Sequence, residues 1–273
     1  MSEIVLHPST EMKVKAACRQ LPHALLLSGT RGVGLHIVAQ HIAKNTQIES
    51  NVTTVLPDEK GTISIDAIRN LYTQTRTKQQ NQQIIIVDDA DSMGREAQNS
   101  FLKLLEEPSS NTTFILTTHS PSKLLPTIHS RVQEIAVQPI TKKQTEEYLT
   151  ELEINNEKIR TQIKFIAPGL PAEIYRLHSD GEYFEAQAET ARNAKKLLSA
   201  DAYEKFLIIQ QYSSDRQKTL ELLRHAMHII KYSLSQKASA GLASQLDRLL
   251  ETEKAIQENA NAKIQLLKLV IST

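Results

Sequence analysis

The first half of the chain alternates short, mainly apolar runs with amphipathic stretches. The runs predict strands and lie at 24–27, 52–56, 84–87, 113–118 and 132–137. The continuous run 84–87 is typical of a strand that is buried on both faces of a parallel sheet. Stretches with apolar residues three and four positions apart predict helices, at 37–43, 64–74 and 95–105. Strand and helix in alternation predict a mostly parallel, three-layer α/β domain.

The strand pattern stops beyond Pro139. Residues 141–178 predict a small helical unit that is interrupted at 167–171, and the polar segment 178–181 predicts a linker. From there onward, apolar residues at three- and four-residue spacing predict helices only. We therefore expect an α/β unit followed by two all-α units, with the bounds 1–140, 141–180 and 181–273.

Composition limits the class of protein. With 273 residues, of which 40% are hydrophobic and 23% charged, the chain is expected to form two or three globular units. The net charge of +1 excludes an overall basic nucleic-acid footprint but leaves a local basic face open. Cys18 is the single cysteine, which excludes an internal disulfide and a multi-cysteine zinc site. No apolar run reaches the ~20 residues of a membrane span, and no secretory signal is apparent, so we expect a cytoplasmic protein without membrane contact.

A glycine-rich loop follows the first predicted strand. Gly29, Gly32 and Gly34 fit the spacing of the phosphate-binding pattern G-x-x-x-x-G-K-[ST]. Leu35 stands where a lysine should reach the β- and γ-phosphates, and His36 where a hydroxyl should hold Mg²⁺. The backbone N–H groups of such a loop remain, so residual nucleotide binding stays open while hydrolysis is not expected. Glycine spacing alone also fits an ordinary tight turn.

Two acids follow the apolar run at 84–87. In phosphate-loop ATPases an acid at the end of this strand holds Mg²⁺, and the next one polarises the attacking water. Asp88 and Asp89 occupy these positions, and Asp89 is one methylene shorter than the glutamate usual there. The pair by itself also fits two solvated carboxylates, but the glycine loop one strand–helix unit earlier favours the functional interpretation.

Three consecutive motifs point to a family. Residues 99–108 read N-S-F-L-K-L-L-E-E-P, 114–121 read F-I-L-T-T-H-S-P, and 123–131 read K-L-L-P-T-I-H-S-R. They closely resemble the clamp-loader ATPases of bacterial DNA polymerase III, with their patterns N-A-L-L-K-x-L-E-E-P-P, F-I-L-x-T and L-x-x-T-I-x-S-R-C. The segment 259–267 is similar to the end of that family's last helix. The resemblance covers nearly the whole chain and is strongest over 84–137.

The resemblance implies that the three predicted units are, in chain order, a RecA-like AAA+ core, a helical lid and a helical collar that joins subunits. The family contains subunits that hydrolyse ATP and a delta-prime kind, which typically has an impaired loop and is a rigid member, or stator, of the ring. Leu35 and His36 favour the delta-prime kind. So does the segment 169–172, which lacks the arginine that ATP-binding members carry in the lid helix.

The resemblance also assigns roles to single residues. Arg131, with Ser130 before it, matches the arginine finger that one subunit supplies in trans to ATP on its neighbour. Such a group can accelerate phosphoryl transfer by ~10³–10⁵. A surface arginine paired with an acid is the alternative. Thr118 matches the sensor position that reads the γ-phosphate, and without a phosphate it is expected to serve only as a strand hydroxyl.

Cofactors and partners follow from the same resemblance. We expect no cofactor in this chain, because neighbouring subunits bind the ATP and the four-cysteine zinc module of many relatives is missing. His225 and His228 lie three apart without a third ligand, so no metal is expected. The implied partners are gamma/tau and delta subunits in a hetero-pentameric ring, the sliding clamp, and primed DNA through the assembly. An active gamma/tau-like or related AAA+ ATPase, disfavoured by the altered loop, and a pure interaction protein, disfavoured by the retained arginine, are the alternatives.

Overall fold

The computed structural model describes residues 4–46, 50–76, 82–107 and 111–271. The chain forms two compact units, Met1–Arg176 and Leu177–Thr273. The strands of the first unit are β1 (Ala24–Gly29), β2 (Ser50–Val55), β3 (Gln82–Val87), β4 (Thr112–Thr118) and β5 (Gln133–Val137). Its first five helices are α1 (Pro8–Arg19), α2 (Leu35–Asn45), α3 (Ile65–Arg76), α4 (Arg95–Glu106) and α5 (Pro126–His129). Within the described residues, no helix is long and apolar enough to cross a bilayer.

All five strands are parallel, in the order β2-β3-β4-β1-β5. Successive residues of a strand point to opposite faces, and each face has its own core. Leu25 and Leu27 of β1 belong to the core formed with α1 and α2, whereas Leu26 belongs to the one formed with α3 and α4. Helices therefore cover both sides of the sheet, and the predicted three-layer α/β class is confirmed.

Helix α1 was not predicted from the sequence. Its buried residues are Thr10, Val14 and Ala17, while Met12 is 71% exposed. Thr10 is buried because its Oγ1 accepts a hydrogen bond of 3.1 Å from the backbone N–H of Gln138. A buried face made of small and polar side chains gives little hydrophobic contrast, so the periodic signal of this helix is weak.

The predicted boundaries agree with the structure in one case and differ in another. Ser64 caps α3 as expected, since its Oγ accepts the backbone N–H of Ala67 at 3.2 Å. Pro108, expected to end α4, lies outside the described residues. The linker predicted over 178–181 is wrong, because only Asp180 separates two helices and its carboxylate accepts the N–H of Tyr183, which starts the next one.

Three helices follow the sheet: α6 (Lys142–Glu151), α7 (Glu157–Ile166) and α8 (Pro171–Ser179). Thr141 and Gln144 form a capping box at the start of α6. The side-chain amide of Gln144 also donates a 2.7 Å hydrogen bond to the carbonyl of Leu6. That bond fixes α6 to the segment that precedes α1.

The second unit is all-helical, as predicted. Its helices are α9 (Gly181–Ser199), α10 (Ala202–Tyr212), α11 (Arg216–Gln236), α12 (Ala240–Gln257) and α13 (Ala262–Ile271). One apolar core joins all five. Within α11, His225 is buried and its Nε2 lies 2.9 Å from Oε1 of Gln187. Burial, reinforced by the positive charges of His228 and Arg224, lowers the pKa of His225 to about 4.

Candidate functional site

The glycine loop lies between the end of β1 and the start of α2. Gly32 and Gly34 have φ angles of +90° and +87°, which glycine adopts without steric cost. Gly29 is required for another reason: a Cβ there would lie 2.8 Å from the carbonyl oxygen of Val137 on β5. The three glycines are thus explained by close packing and by the shape of the turn.

Leu35 opens α2 and turns into the protein. It is only 2% exposed and belongs to the apolar core that contains Val33 and Val38. Its Cδ2 would touch a Cβ on Gly29 at 3.2 Å. The position that carries a phosphate-binding lysine in active loops is therefore part of the core here, and α2 supplies no cation at this point.

His36 lies beside the first acid of β3. Its Nδ1 is 3.2 Å from Oδ2 of Asp88, a close electrostatic contact without hydrogen-bond alignment. Its Nε2 lies 2.8 Å from the side-chain nitrogen of Gln40. Because an amide nitrogen only donates, the imidazole Nε2 accepts and the ring proton lies on Nδ1, next to Asp88. The carboxylate that would face Mg²⁺ is therefore in contact with an imidazole.

Two threonines at the end of β4 contact three acids. Oγ1 of Thr117 donates to Oδ1 of Asp88 at 2.6 Å and accepts the backbone N–H of Asp89 at 2.9 Å. Oγ1 of Thr118 donates instead to Oδ1 of Asp91 at 2.8 Å. Thr118, the predicted sensor, is buried with its hydroxyl bound to an acid, and Thr117 is the residue that contacts the acid pair.

His119 connects the loop to the second acid. Its Nδ1 donates a 2.7 Å hydrogen bond to the carbonyl of Gly29, which can only accept. Its Nε2 lies 3.6 Å from Oδ1 of Asp89, whose other oxygen is 4.0 Å from the guanidinium of Arg31. Within the described ranges no three His, Cys, Asp or Glu side chains are grouped to hold a metal ion. The polar groups around the loop contact one another.

The start of α8 lies directly on the loop. The carbonyl of Gly32 accepts two backbone hydrogen bonds, from Ala172 at 3.0 Å and from Glu173 at 3.2 Å. A Cβ on Gly32 would lie 2.9 Å from Cβ of Glu173, and one on Gly34 would lie 3.2 Å from Cβ of Ala172. Leu170 packs against the same core as Leu35. Helix α8 and the loop are thus in contact through hydrogen bonds between backbone groups.

Arg131 lies elsewhere in the first unit, just after α5. Its Nη1 donates to the carbonyl of Thr127 at 3.0 Å and to Oγ of Ser130 at 3.1 Å. Its Nη2 lies 2.8 Å from Oε1 of Glu106, the last residue of α4, and its side chain is 35% exposed. Within the described part of the chain, none of its contacts is with the glycine loop.

Comparison with known proteins agrees with this architecture. The family model described as "DNA polymerase III, delta subunit" matches residues 44–141. The chain is 25% identical to DNA polymerase III subunit delta' of Bacillus subtilis, a match that covers 89% of this chain and 88% of that protein. It is 29% identical to the delta' subunit of Pseudomonas aeruginosa, over 66% of this chain and 62% of that protein. These matches support membership of this chain in the DNA polymerase III clamp-loader family.

A solved structure from another organism has a similar fold. The DNA polymerase III gamma subunit-related protein of Thermotoga maritima matches with a TM-score of 0.59 and covers 96% of this chain and 97% of that chain. At 18% identity the likeness concerns the fold alone. It agrees with the predicted RecA-like fold of the core.

Several side-chain contacts of the site could not be predicted from the sequence. The structure places His36 of the loop beside Asp88, at the end of β3. His119 directly follows the sensor motif, but no sequence pattern predicts its hydrogen bond to the carbonyl of Gly29. Glu106 belongs to the E-E-P motif, yet its contact with Arg131 depends on how α4 and α5 pack.

Proposed function

We propose that this chain is a non-hydrolysing, delta-prime-like subunit of the DNA polymerase III clamp loader. It is a rigid member of a hetero-pentameric ring with gamma/tau and delta subunits, and Arg131 acts on ATP bound by a neighbour. The assembly uses that ATP to load the sliding clamp onto primed DNA. The observation that carries the proposal is the contact of α8 with the loop through the carbonyl of Gly32.

The loop cluster does not fit a nucleotide with its metal ion. Phosphoryl transfer needs a lysine and Mg²⁺ to neutralise charge on the β- and γ-phosphates. Leu35 lies in the core, and Asp88 is shared between His36 and Thr117. Helix α8 also packs on the loop, and any movement that separated it from Gly32 would lose two backbone hydrogen bonds of about 0.5–1.5 kcal/mol each. These terms all oppose ATP binding by this chain.

Arg131 meets the chemical requirement for a group that acts across an interface. A guanidinium is permanently charged, and its planar fork suits bidentate contact with phosphate. It is partly exposed and makes no described contact with the loop of its own chain. Its pairing with Glu106 corresponds to the surface arginine that was the alternative, so only a measurement on the assembled ring decides between the two roles.

Assembly is proposed to involve the second unit, the collar. Tyr203, Phe206 and Leu207 lie three and four residues apart on α10 and are exposed by 70%, 40% and 46%. Large apolar side chains at this spacing form one stripe of a helix, which is typical of a contact surface. The stripe supports a role for α10 in binding another loader subunit.

The test uses the loader reconstituted with its partner subunits, the clamp and primed DNA. Arg131→Ala should lower ATP turnover ~10-fold or more at the single site it serves, with a smaller loss in the total rate. Arg131→Lys should recover little, because an ammonium cannot form the fork. Arg95→Ala, an exposed arginine at the start of α4, is the matched control. A wild-type rate with Arg131→Ala would leave a scaffold function only.

The isolated chain separates the proposal from an active gamma/tau-like ATPase. We expect neither saturable ATP binding nor turnover, measured by calorimetry and by phosphate release. Steady turnover that Asp88→Asn abolishes would instead assign hydrolysis to this chain.

A further inference from the structure

The guanidinium of Arg131 is held by its own chain on one side. It has five N–H donors, of which Nη1 uses two, on the carbonyl of Thr127 and on Oγ of Ser130. Nη2 faces Oε1 of Glu106 at 2.8 Å, which engages a third. The other two N–H donors have no partner among the described residues, and a bidentate phosphate contact requires two donors.

We infer that Glu106 is a positioning residue for Arg131: its carboxylate holds the guanidinium so that the remaining donors are available to a phosphate group on a neighbouring subunit. The inference rests on the proposed function, because it presumes that Arg131 acts in trans. It assigns to the last residue of α4 a part in the reaction of another chain. Among the described residues, the ion pair with Arg131 is the one side-chain polar contact found for the Glu106 carboxylate.

The two elements joined by this pair are already fixed to each other. Gln98 of α4 is 4% exposed, and its side-chain nitrogen donates to the carbonyls of Met93 and Lys123 at 3.0 and 3.1 Å. Its side-chain oxygen accepts the backbone N–H of Leu125 at 2.8 Å. Since the segment that leads into α5 is tied to α4, the ion pair orders only the two side chains.

Ordering matters because a free arginine samples many rotamers. Exposed ion pairs often contribute little since both long side chains must be immobilised. Here Thr127 and Ser130, at the end of α5, already accept two hydrogen bonds from Nη1. Glu106 therefore needs to restrict only the rotation of the guanidinium plane about Nη1. A carboxylate 2.8 Å away also holds the permanently charged guanidinium in one place at the partly exposed surface before a phosphate arrives.

The experiment uses the same reconstituted loader with Glu106→Gln, which keeps an oxygen acceptor and removes the charge. We expect the turnover at the site served by Arg131 to fall two- to fivefold, the size that an exposed ion pair supports. The KM for ATP should change little, because an arginine finger stabilises charge that develops mainly in the transition state. Glu106→Asp should recover part of the rate. Glu96→Gln, an exposed acid at the other end of α4, is the matched control.

A double substitution isolates the positioning role. On the Arg131→Ala background, Glu106→Gln should cause no further loss, because its effect passes through the arginine. A wild-type or raised rate with Glu106→Gln alone overturns the inference, as does an equal loss on both backgrounds. If Arg131→Ala is itself without effect, the proposed function fails and this inference with it. A slow Arg131→Ala loader with a normal Glu106→Gln loader overturns the inference alone.

Discussion

Restoring the two residues that the phosphate loop lacks is expected to destabilise the protein without producing an ATPase. The double variant Leu35→Lys with His36→Thr returns the loop to the pattern of active phosphate-binding loops. In this fold, however, Leu35 is a core side chain and α8 is bonded to the loop at Gly32. The new ammonium must leave the core, and Asp88, the acid that would face a metal ion, is already hydrogen-bonded to Thr117.

The expected loss follows from the burial of Leu35. Full burial of a leucine stabilises by about 1.5–3 kcal/mol, and the space left behind adds to the loss. Removing the contact of His36 with Asp88 adds at most about 1 kcal/mol, because both side chains are partly exposed. We expect the free energy of unfolding to fall by about 3 kcal/mol, which lowers the melting temperature of the first unit by about 6–12 °C.

Urea denaturation measures the stability, and calorimetric titration with Mg-ATP measures binding. Ile37→Lys is the matched control, since Ile37 is 50% exposed on the same helix and should change stability by about 0.5 kcal/mol or less. Micromolar ATP binding by the double variant at unchanged stability would refute the reasoning. That result would mean that Leu35 does not support the core and that α8 leaves the loop at little cost.

Three further predictions concern single features. Gly32→Ala should lower the free energy of unfolding by about 1–3 kcal/mol more than Gly61→Ala does. Both glycines have positive φ, but only at Gly32 does an atom of α8, Cβ of Glu173, lie within 3 Å of the added Cβ. Equal losses in urea denaturation would contradict the importance of this contact. His225 has a pKa of about 4 in the folded protein and 6.5 in the unfolded chain. Its contribution to the free energy of unfolding is therefore fully present above pH 6.5 and should fall by about 3 kcal/mol as the pH drops to 4. His225→Gln should remove this pH dependence, and an unchanged pH dependence would exclude His225 as its source. Tyr203→Ser with Phe206→Ser should leave the melting temperature of the chain unchanged while weakening copurification with loader subunits, and full recovery of the complex would exclude this face.

The central strands β1, β3 and β4 could be predicted from the sequence because burial on both faces favours a mainly apolar run. The segment 84–87 is one such run, and all of it lies within β3. Helix α1 could not be predicted in the same way, since Thr10 takes a core position through a hydrogen bond to distant Gln138. The sequence alone does not show that a polar side chain such as Thr10 will find a distant hydrogen-bond partner that allows its burial.

In the candidate site, too, local features could be predicted from the sequence and long-range contacts could not. The spacing of Gly29, Gly32 and Gly34 predicted a turn between strand and helix, and that turn is present. The contact of Ala172 with the loop joins residues about 140 positions apart in the sequence, and no local pattern encodes it. A motif specifies its own backbone, whereas the helix that covers it is determined by the packing of the whole unit.

The strand order also has a consequence for synthesis on the ribosome. In the finished sheet Ala24 pairs with Phe114, 90 positions later, and Leu25 pairs with Gln133, 108 positions later. At translation speeds of ~5–20 residues per second, β1 leaves the ribosome roughly 5–20 s before either neighbour exists. During that interval its leucines lack their partner strands, so nascent chains that end before residue 112 are the species most dependent on chaperones.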